Sequence, residues 1–392
     1  MKSWLDNVID HIDFQKKNRE NIAVELLEIS GAAFSKNLSG KSELSFLNMI
    51  KLIKHLYEND TEITYMIRDF CKKTTNKKNI RMAMEYANAI GDFELLSIAI
   101  NKGFASGNAK TYEWAFVYEL VLMRSKNVLS DQLLLEELEA RKKNRLVKCN
   151  EMKIMCDILT FYTLYDSREY KMLFSYAEML LPKIEAISNP FVKDLYKSRI
   201  KEIIAYASLM DDQIEKSREA CHDILNTEDQ WGYLNLLKVS ALGCLGESYS
   251  FDSYEQSLWY LNKGIQILDE CHTDRALARK VQFLNMRSYI RLIHQKDLHD
   301  LQISDVGEKA LYYIVTGNGK EAIRILTQLQ KDNDSLSPMK TCYLGIALKS
   351  KDLLEKSIEG FINQGCKFYC RFPRKMLVEF NKNGIIYLGD AK

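Results

Sequence analysis

The chain has 392 residues, 46% hydrophobic and 28% charged, with 55 basic against 53 acidic side chains and a formal net charge of +2. That balance suits a protein that buries a real core and by itself demands no acidic partner. No apolar run approaches the roughly 20 residues of a membrane span, and Trp4, Leu5, Val8 and Ile9 are interrupted by Asp6 and Asp10, so neither a span nor a signal peptide is read.

The nine cysteines are scattered without a Cys-x-x-Cys pair, and Cys366 and Cys370 have no histidine nearby. Reduced thiols in a cytoplasmic core are expected, with no metal and no cofactor. Only four prolines occur, Pro182, Pro190, Pro338 and Pro373, each expected near a helix end, along with 17 glycines. The reading is all-α, because proline ends helices and strands want more turn residues.

In chain order, a polar helix is expected over residues 3–19, with Leu5, Val8, Ile9 and Ile12 on one stripe. Three short stretches come next, Asn21–Ser30, Ala32–Leu38 and Ser42–Tyr57, parted at Ser30-Gly31 and at Ser39-Gly40-Lys41. Gly31 permits the left-handed backbone of a tight junction. Ser42 offers a cap to a helix whose Leu44, Leu47, Ile50, Ile53 and Leu56 keep a helical period. Together these predict a helix–turn–helix unit over residues 1–60 with Ala32–Ser39 as its recognition helix. Its candidate DNA contacts are Ser35, Lys36, Asn37, Ser39 and Lys41.

From Gly31 to Tyr57 the bases are Lys36, Lys41, Lys51 and Lys54 against Glu43 alone. Helix–turn–helix patterning also wants apolar residues where Ser30 and Asn37 stand, so a capping helical bundle with solvated lysines is an equal reading. A second basic run, Arg68, Lys72, Lys73, Lys77, Lys78 and Arg81, either flanks DNA or is a solvated joint. A third, Arg141, Lys142, Lys143, Arg145 and Lys148, is placed on an outer loop.

Beyond Asn79, helix pairs alternate with short polar joints. Ala310 and Gly345 stand 35 residues apart, with Tyr313 and Leu348 three positions after them. Twelve positions after each comes a second small residue, Ala322 or Ser357, and four further on the bulky Leu326 or Phe361. This is tetratricopeptide (TPR) grammar, in which small residues let antiparallel helices approach and large ones fill the gap between pairs. It predicts a right-handed TPR-like α-solenoid over residues 61–372, with residues 373–392 as a capping and dimerisation segment. Solenoids of this kind bind peptides or proteins on a concave surface. Gly317-Asn318-Gly319-Lys320 lacks the spacing of a phosphate loop and is read as a turn, and no nucleophile–base set is present, so no enzyme is expected.

Short segments carry a more specific signal. Met66-Ile67-Arg68-Asp69-Phe70-Cys71, Met84-Glu85-Tyr86-Ala87-Asn88-Ala89, Tyr196-Lys197-Ser198-Arg199-Ile200, Leu261-Asn262-Lys263-Gly264-Ile265 and Phe368 with Arg371-Phe372-Pro373 occur in this order. In them the chain resembles AimR, the family of arbitrium receptors of temperate Bacillus phages. The resemblance implies a homodimeric transcription regulator that binds operator DNA through its N-terminal unit and acts in the lysis–lysogeny decision. It also implies that a short secreted peptide, typically a hexapeptide ending Arg-Gly-Ala, enters the solenoid and weakens DNA binding.

The polar pocket positions of that family fall here on Tyr206, Met210, Leu236, Glu247, Leu284, Gly307 and Cys366, and the pocket aromatic on Phe368. The expected peptide contacts are Tyr206 and Phe368 as apolar surfaces, Glu247 for a cation, and Arg287 or Arg371 for a terminal carboxylate. Glu247 is alternatively a plain exposed helix residue, and the two arginines alternatively pair with acids on adjacent repeats. A TPR adaptor or a Rap-like inhibitor that grips a signalling protein instead of DNA is the other functional class.

Overall fold

A computed structural model describes residues 3–143, 146–166, 170–301 and 303–383, with the side chains of residues 170–172, 174, 175 and 383 outside that description. The described residues form twenty-one α-helices with one π-helical and one 3-10 turn, and no strand. Helix starts are written locally. Asn59, Asn76, Asn108 and Asn189 each stand just before a helix and accept from its first free amides, and Pro190 and Pro338 open helices where no N–H is needed.

Each helix packs chiefly on the next helix and the next but one, the arrangement of a solenoid of stacked helix pairs. Small residues make the close approaches. Ser257 donates its hydroxyl to the Gly246 carbonyl at 2.6 Å, and a Cβ on Gly246 would lie 2.8 Å from Leu261. Ser357 donates to the Pro338 carbonyl at 2.7 Å, and Ala310, Ala322 and Leu326 are fully buried. The bulky partners are less regular: Tyr313 is half-buried against the second hydrophobic cluster, whereas Leu348 is 48% exposed and fills no gap between pairs. Gly317 takes a left-handed turn and Asn318 caps the next helix, as a repeat turn requires.

Several local expectations change. The first helix is shorter, Trp4–Phe14. Ser45 rather than Ser42 caps Phe46–Leu56, because Leu44 is drawn into the core first. The left-handed residue before Gly31–Leu38 is Glu28, and Gly31 is simply the first helical residue behind the cap Ser30. Pro182 lies inside Tyr170–Glu185, in its last turn. Arg141, Lys142 and Lys143 end the helix Asp131–Lys143, and Arg141 is buried over the Phe116 ring with Glu119 at 2.9 Å; Arg145 lies outside the described residues.

One hydrophobic cluster runs from Trp4 to Cys370 and a second from Leu236 to Met376. The first sixty residues are fastened to the helices of the solenoid. The Trp4 and Phe70 ring centroids are 5.0 Å apart, and the Asn79 side chain bonds both Phe46 N–H and the Leu44 carbonyl at 2.9 Å. Contacts between helices far apart in sequence break the nearest-neighbour pattern. Thr273 donates to the Ile90 carbonyl at 2.7 Å, joining the start of Asp274–His294 to the end of Lys77–Ile90. Near the other end, Lys367 meets Asp211 and Arg371 meets Asp212, each at 2.7 Å. The solenoid therefore curls until non-adjacent helices touch, and the space it curls around is a cavity.

Candidate functional site

The cavity has a volume of about 530 Å³ and lies between the helices Lys77–Ile90, Ala109–Ser125, Asn150–Asp166, Pro190–Met210, Asn235–Ser248 and Asp274–His294. Its apolar lining includes Leu236, Leu261 and Phe283. The Phe283 ring reaches this wall because Gly264 and Gly243 have no side chains: a Cβ at Gly264 would lie 2.2 Å from the ring. Four arginines also line it, Arg124, Arg199, Arg275 and Arg279, with Asp166, Glu202 and Glu247.

Three of these arginines are paired. Arg124 meets Asp166 at 2.5 Å, Arg199 meets the fully buried Glu85 at 2.5 Å, and Arg279 lies 3.6 Å from Glu202, which also accepts from the Tyr162 hydroxyl at 2.6 Å. Arg275 instead donates to the Asn88 carbonyl at 3.1 Å and to the Ser125 hydroxyl at 2.6 Å. Burial and the like charge of Arg279 pull its guanidinium down to about 10, which leaves it charged at neutral pH. Glu247 is buried and accepts a hydrogen bond from the Tyr369 hydroxyl; burial pushes its carboxyl up to about 7 against that opposing bond.

Of the five side chains expected at the peptide, the structure brings Tyr206 and Glu247 to the cavity. Glu247 is not an exposed helix residue. Phe368 is 1% exposed and packs on Phe251 with ring centroids 5.1 Å apart, within the core rather than on the cavity wall. Arg371 bonds Asp212 and lies 3.6 Å from Asp252, the acid pairing that solenoid arginines commonly make. Arg287 reaches Asn262 at 3.4 Å and also lies off the cavity. Leu236 shares the lining, whereas Met210, Leu284, Gly307 and Cys366 do not.

The arginines of the cavity are what sequence reasoning missed. Arg275 and Arg279 stand one helical turn apart, and Arg199 sits in one of the family-like segments. Arginine on an amphipathic helix ordinarily reads as surface, so only the curl of the solenoid reveals where these point.

At the amino end, Ser35, Lys36, Ser39 and Lys41 are exposed on and just after Gly31–Leu38. Asn37 is half-buried and its amide donates to the Ser42 carbonyl at 3.2 Å and hydroxyl at 2.9 Å, so it holds the turn. The other two lysines of this run face inward: Lys54 bonds the Trp231 carbonyl, and the Lys51 ammonium stands 5.6 Å from the Trp231 ring. In the second basic run, Arg68 pairs with Asp92 at 2.8 Å and Lys73 with Asp69 at 2.9 Å. Arg68 thus ties the helix Asp60–Lys73 to the cap of Phe93–Phe104, while Lys73 and Asp69 pair along one helix.

The profile of the AimR transcriptional regulator-like family matches residues 61–379. The chain belongs to this AimR family. Among its relatives, an uncharacterized protein of Bacillus anthracis is 47% identical over 270 residues, 69% of this chain and all of that one. The AimR transcriptional regulator of Bacillus phage SPbeta is 26% identical over 363 residues, 89% of this chain and 87% of that protein. The AimR transcriptional regulator of Bacillus phage phi3T is 23% identical over 339 residues, 83% of each. Among solved structures, a ligand complex of phAimR superimposes with a TM-score of 0.73 at 20% identity, over 87% of this chain and 98% of that one. Selenomethionine phAimR gives 0.72 at 19%, over 97% of each chain. The all-α AimR fold thus extends beyond the profile's limits, and the family's named members are transcriptional regulators rather than enzymes. No helix of the described residues is long and apolar enough to cross a membrane.

Proposed function

We propose that this AimR-family chain is a regulator of the phage lysis–lysogeny decision that binds operator DNA as a homodimer and is modulated by a short secreted peptide held in the cavity. The observation that carries the reading is the cavity itself, which opens where the solenoid curls and combines apolar walls with paired and unpaired charges, as an extended peptide with polar ends needs. In this reading the exposed Ser35, Lys36, Ser39 and Lys41 meet DNA, while Asn37 shapes the turn that presents them. Residues 1–60 then serve DNA, 61–372 the peptide and 373–392 the dimer.

Peptide and DNA are coupled only if the peptide favours one shape of the solenoid. Lys51 and Lys54 on Trp231, just ahead of the cavity-lining helix Asn235–Ser248, join the first helices to the wall of the cavity and supply a physical route for that preference. The experiment is a gel shift with the DNA upstream of the chain's own gene, with and without the peptide encoded by a neighbouring short reading frame. A shifted band weakened by that peptide supports the proposal. No DNA binding, together with capture of a host signalling protein, supports the Rap-like alternative instead.

A further inference from the structure

Arg124, Arg199 and Arg279 each face a carboxylate, which neutralises them before any ligand arrives. Arg275 faces only neutral oxygens among the described residues, from Asn88 and Ser125. A guanidinium in a low-dielectric wall without a counter-charge is costly, and the same wall strengthens its attraction for any anion that reaches it. The position is also fixed. A Cβ on Gly91 would lie 2.5 Å from the Arg275 Cβ and 2.9 Å from Leu236, so only glycine lets this helix start seat so closely. Arg279, one turn along and already paired with Glu202, donates to the Leu236 carbonyl at 3.4 Å and so holds the Leu236 end of the wall.

The opposite pole is Glu247. Leu236 and Glu247 lie on one helix, Asn235–Ser248, and both line the cavity. Eleven residues at 1.5 Å each put them about 16 Å apart, roughly the span of five extended residues. The cavity is thus a slot with a positive end beside Leu236 and an acidic end at Glu247.

We propose that Arg275 is a carboxylate subsite, a specificity-determining residue outside the positions at which the family resemblance places peptide contacts. The ligand carries a carboxylate there, at the other end of the slot from the group that meets Glu247. Guanidinium and carboxylate match in a two-pronged, charge-assisted geometry that an amide cannot reproduce. The carboxylate comes either from a free peptide C-terminus or from an acidic side chain. This proposal rests on the reading of the cavity as the peptide site.

The test uses full-length protein and four randomised hexapeptide pools, with retention read by mass spectrometry. Two pools lack Asp and Glu, one with free and one with amidated C-termini. The other two contain Asp and Glu, again free or amidated. Retention of the acid-free pool falling at least tenfold on amidation assigns the C-terminus; equal loss of both acid-free pools, with the amidated acidic pool retained, assigns a side chain. In Arg275→Gln either preference vanishes, while Arg275→Lys keeps part of it. A role confined to holding the Gly91 turn lowers retention of all pools alike and overturns the proposal. So does equal retention of all four pools by the unaltered protein, which leaves the peptide reading standing. Retention of no pool removes both readings. The comparison of pools on unaltered protein needs no variant to fold.

Discussion

The Thr273 hydroxyl donates to the Ile90 carbonyl across 183 positions of sequence, and Arg275 stands two residues later over Gly91. This contact converts an open stack of helices into one that closes around a cavity. Gly91 has a φ of +72° and no room for a side chain. Gly91→Ala is expected to cost about 1–3 kcal/mol from the strained backbone, with steric displacement of Arg275 added. Thermal unfolding checks the stability. Hydrogen exchange at residues 273–276 should rise, and unchanged protection there would contradict the closing role.

Glu85 and Arg199 form a pair at the bottom of the cavity, with Glu85 fully buried and also accepting from the Tyr118 hydroxyl. Removing one member strands the other charge away from water. Glu85→Ala is expected to destabilise the fold by about 3–5 kcal/mol in denaturant titrations, whereas a simultaneous apolar replacement of both residues should cost less.

Glu247 sets a pH dependence. Its carboxyl is pushed up to about 7 by burial, facing Tyr369 and lying near Tyr206 and Cys244. Between its ordinary value of 4.5 and about 7 the folded protein binds more protons than the unfolded chain. Stability therefore falls as pH rises through that window, and the loss is complete above it. The full effect is about 3 kcal/mol. Glu308, also pushed up to about 7 by burial and by Asp305, adds in the same direction. Glu247→Gln should flatten the melting temperature against pH between 5 and 8; an unchanged slope would count against the buried carboxyl as its source.

For DNA, the exposed and the inward lysines should separate. Lys36→Ala with Lys41→Ala leaves the Asn37–Ser42 turn intact and should lower operator affinity while flattening its salt dependence, by about 0.9 in log–log slope for each phosphate no longer neutralised. Lys54→Ala should instead remove the bond to Trp231 and act on stability. Fluorescence anisotropy at several salt concentrations reads the first effect; equal slopes for the double variant and the parent would remove these residues from the interface.

The dimer is tested by shortening the carboxyl end. Met376 is 1% exposed in the chain's own second hydrophobic cluster, so a cut at Pro373 would damage the repeats as well as any interface. The apolar Ile385, Ile386 and Leu388 of the expected dimerisation segment, residues 373–392, lie outside the described residues. A chain ending at Asn383 keeps Met376 and Leu377 and is expected to be monomeric by light scattering. A persistent dimer would place the interface elsewhere.

Local chemistry is what the sequence determined: the absence of strand patterning, and the small residues Ala310, Gly345, Ala322 and Ser357 that let helices touch. Each depends on neighbours within a turn or a repeat, so spacing alone reveals it. The short family-like segments were enough to point to AimR. The tertiary structure decided which side chains meet across the curl. Arg371 pairs with Asp212, 159 positions away, and Phe368 turns into the core, while Arg275 and Glu247 come to face one cavity from opposite ends of the slot. Small rotations from one helix pair to the next accumulate along a solenoid, so the residues that end up across the cavity from each other are set by that sum and by no local pattern.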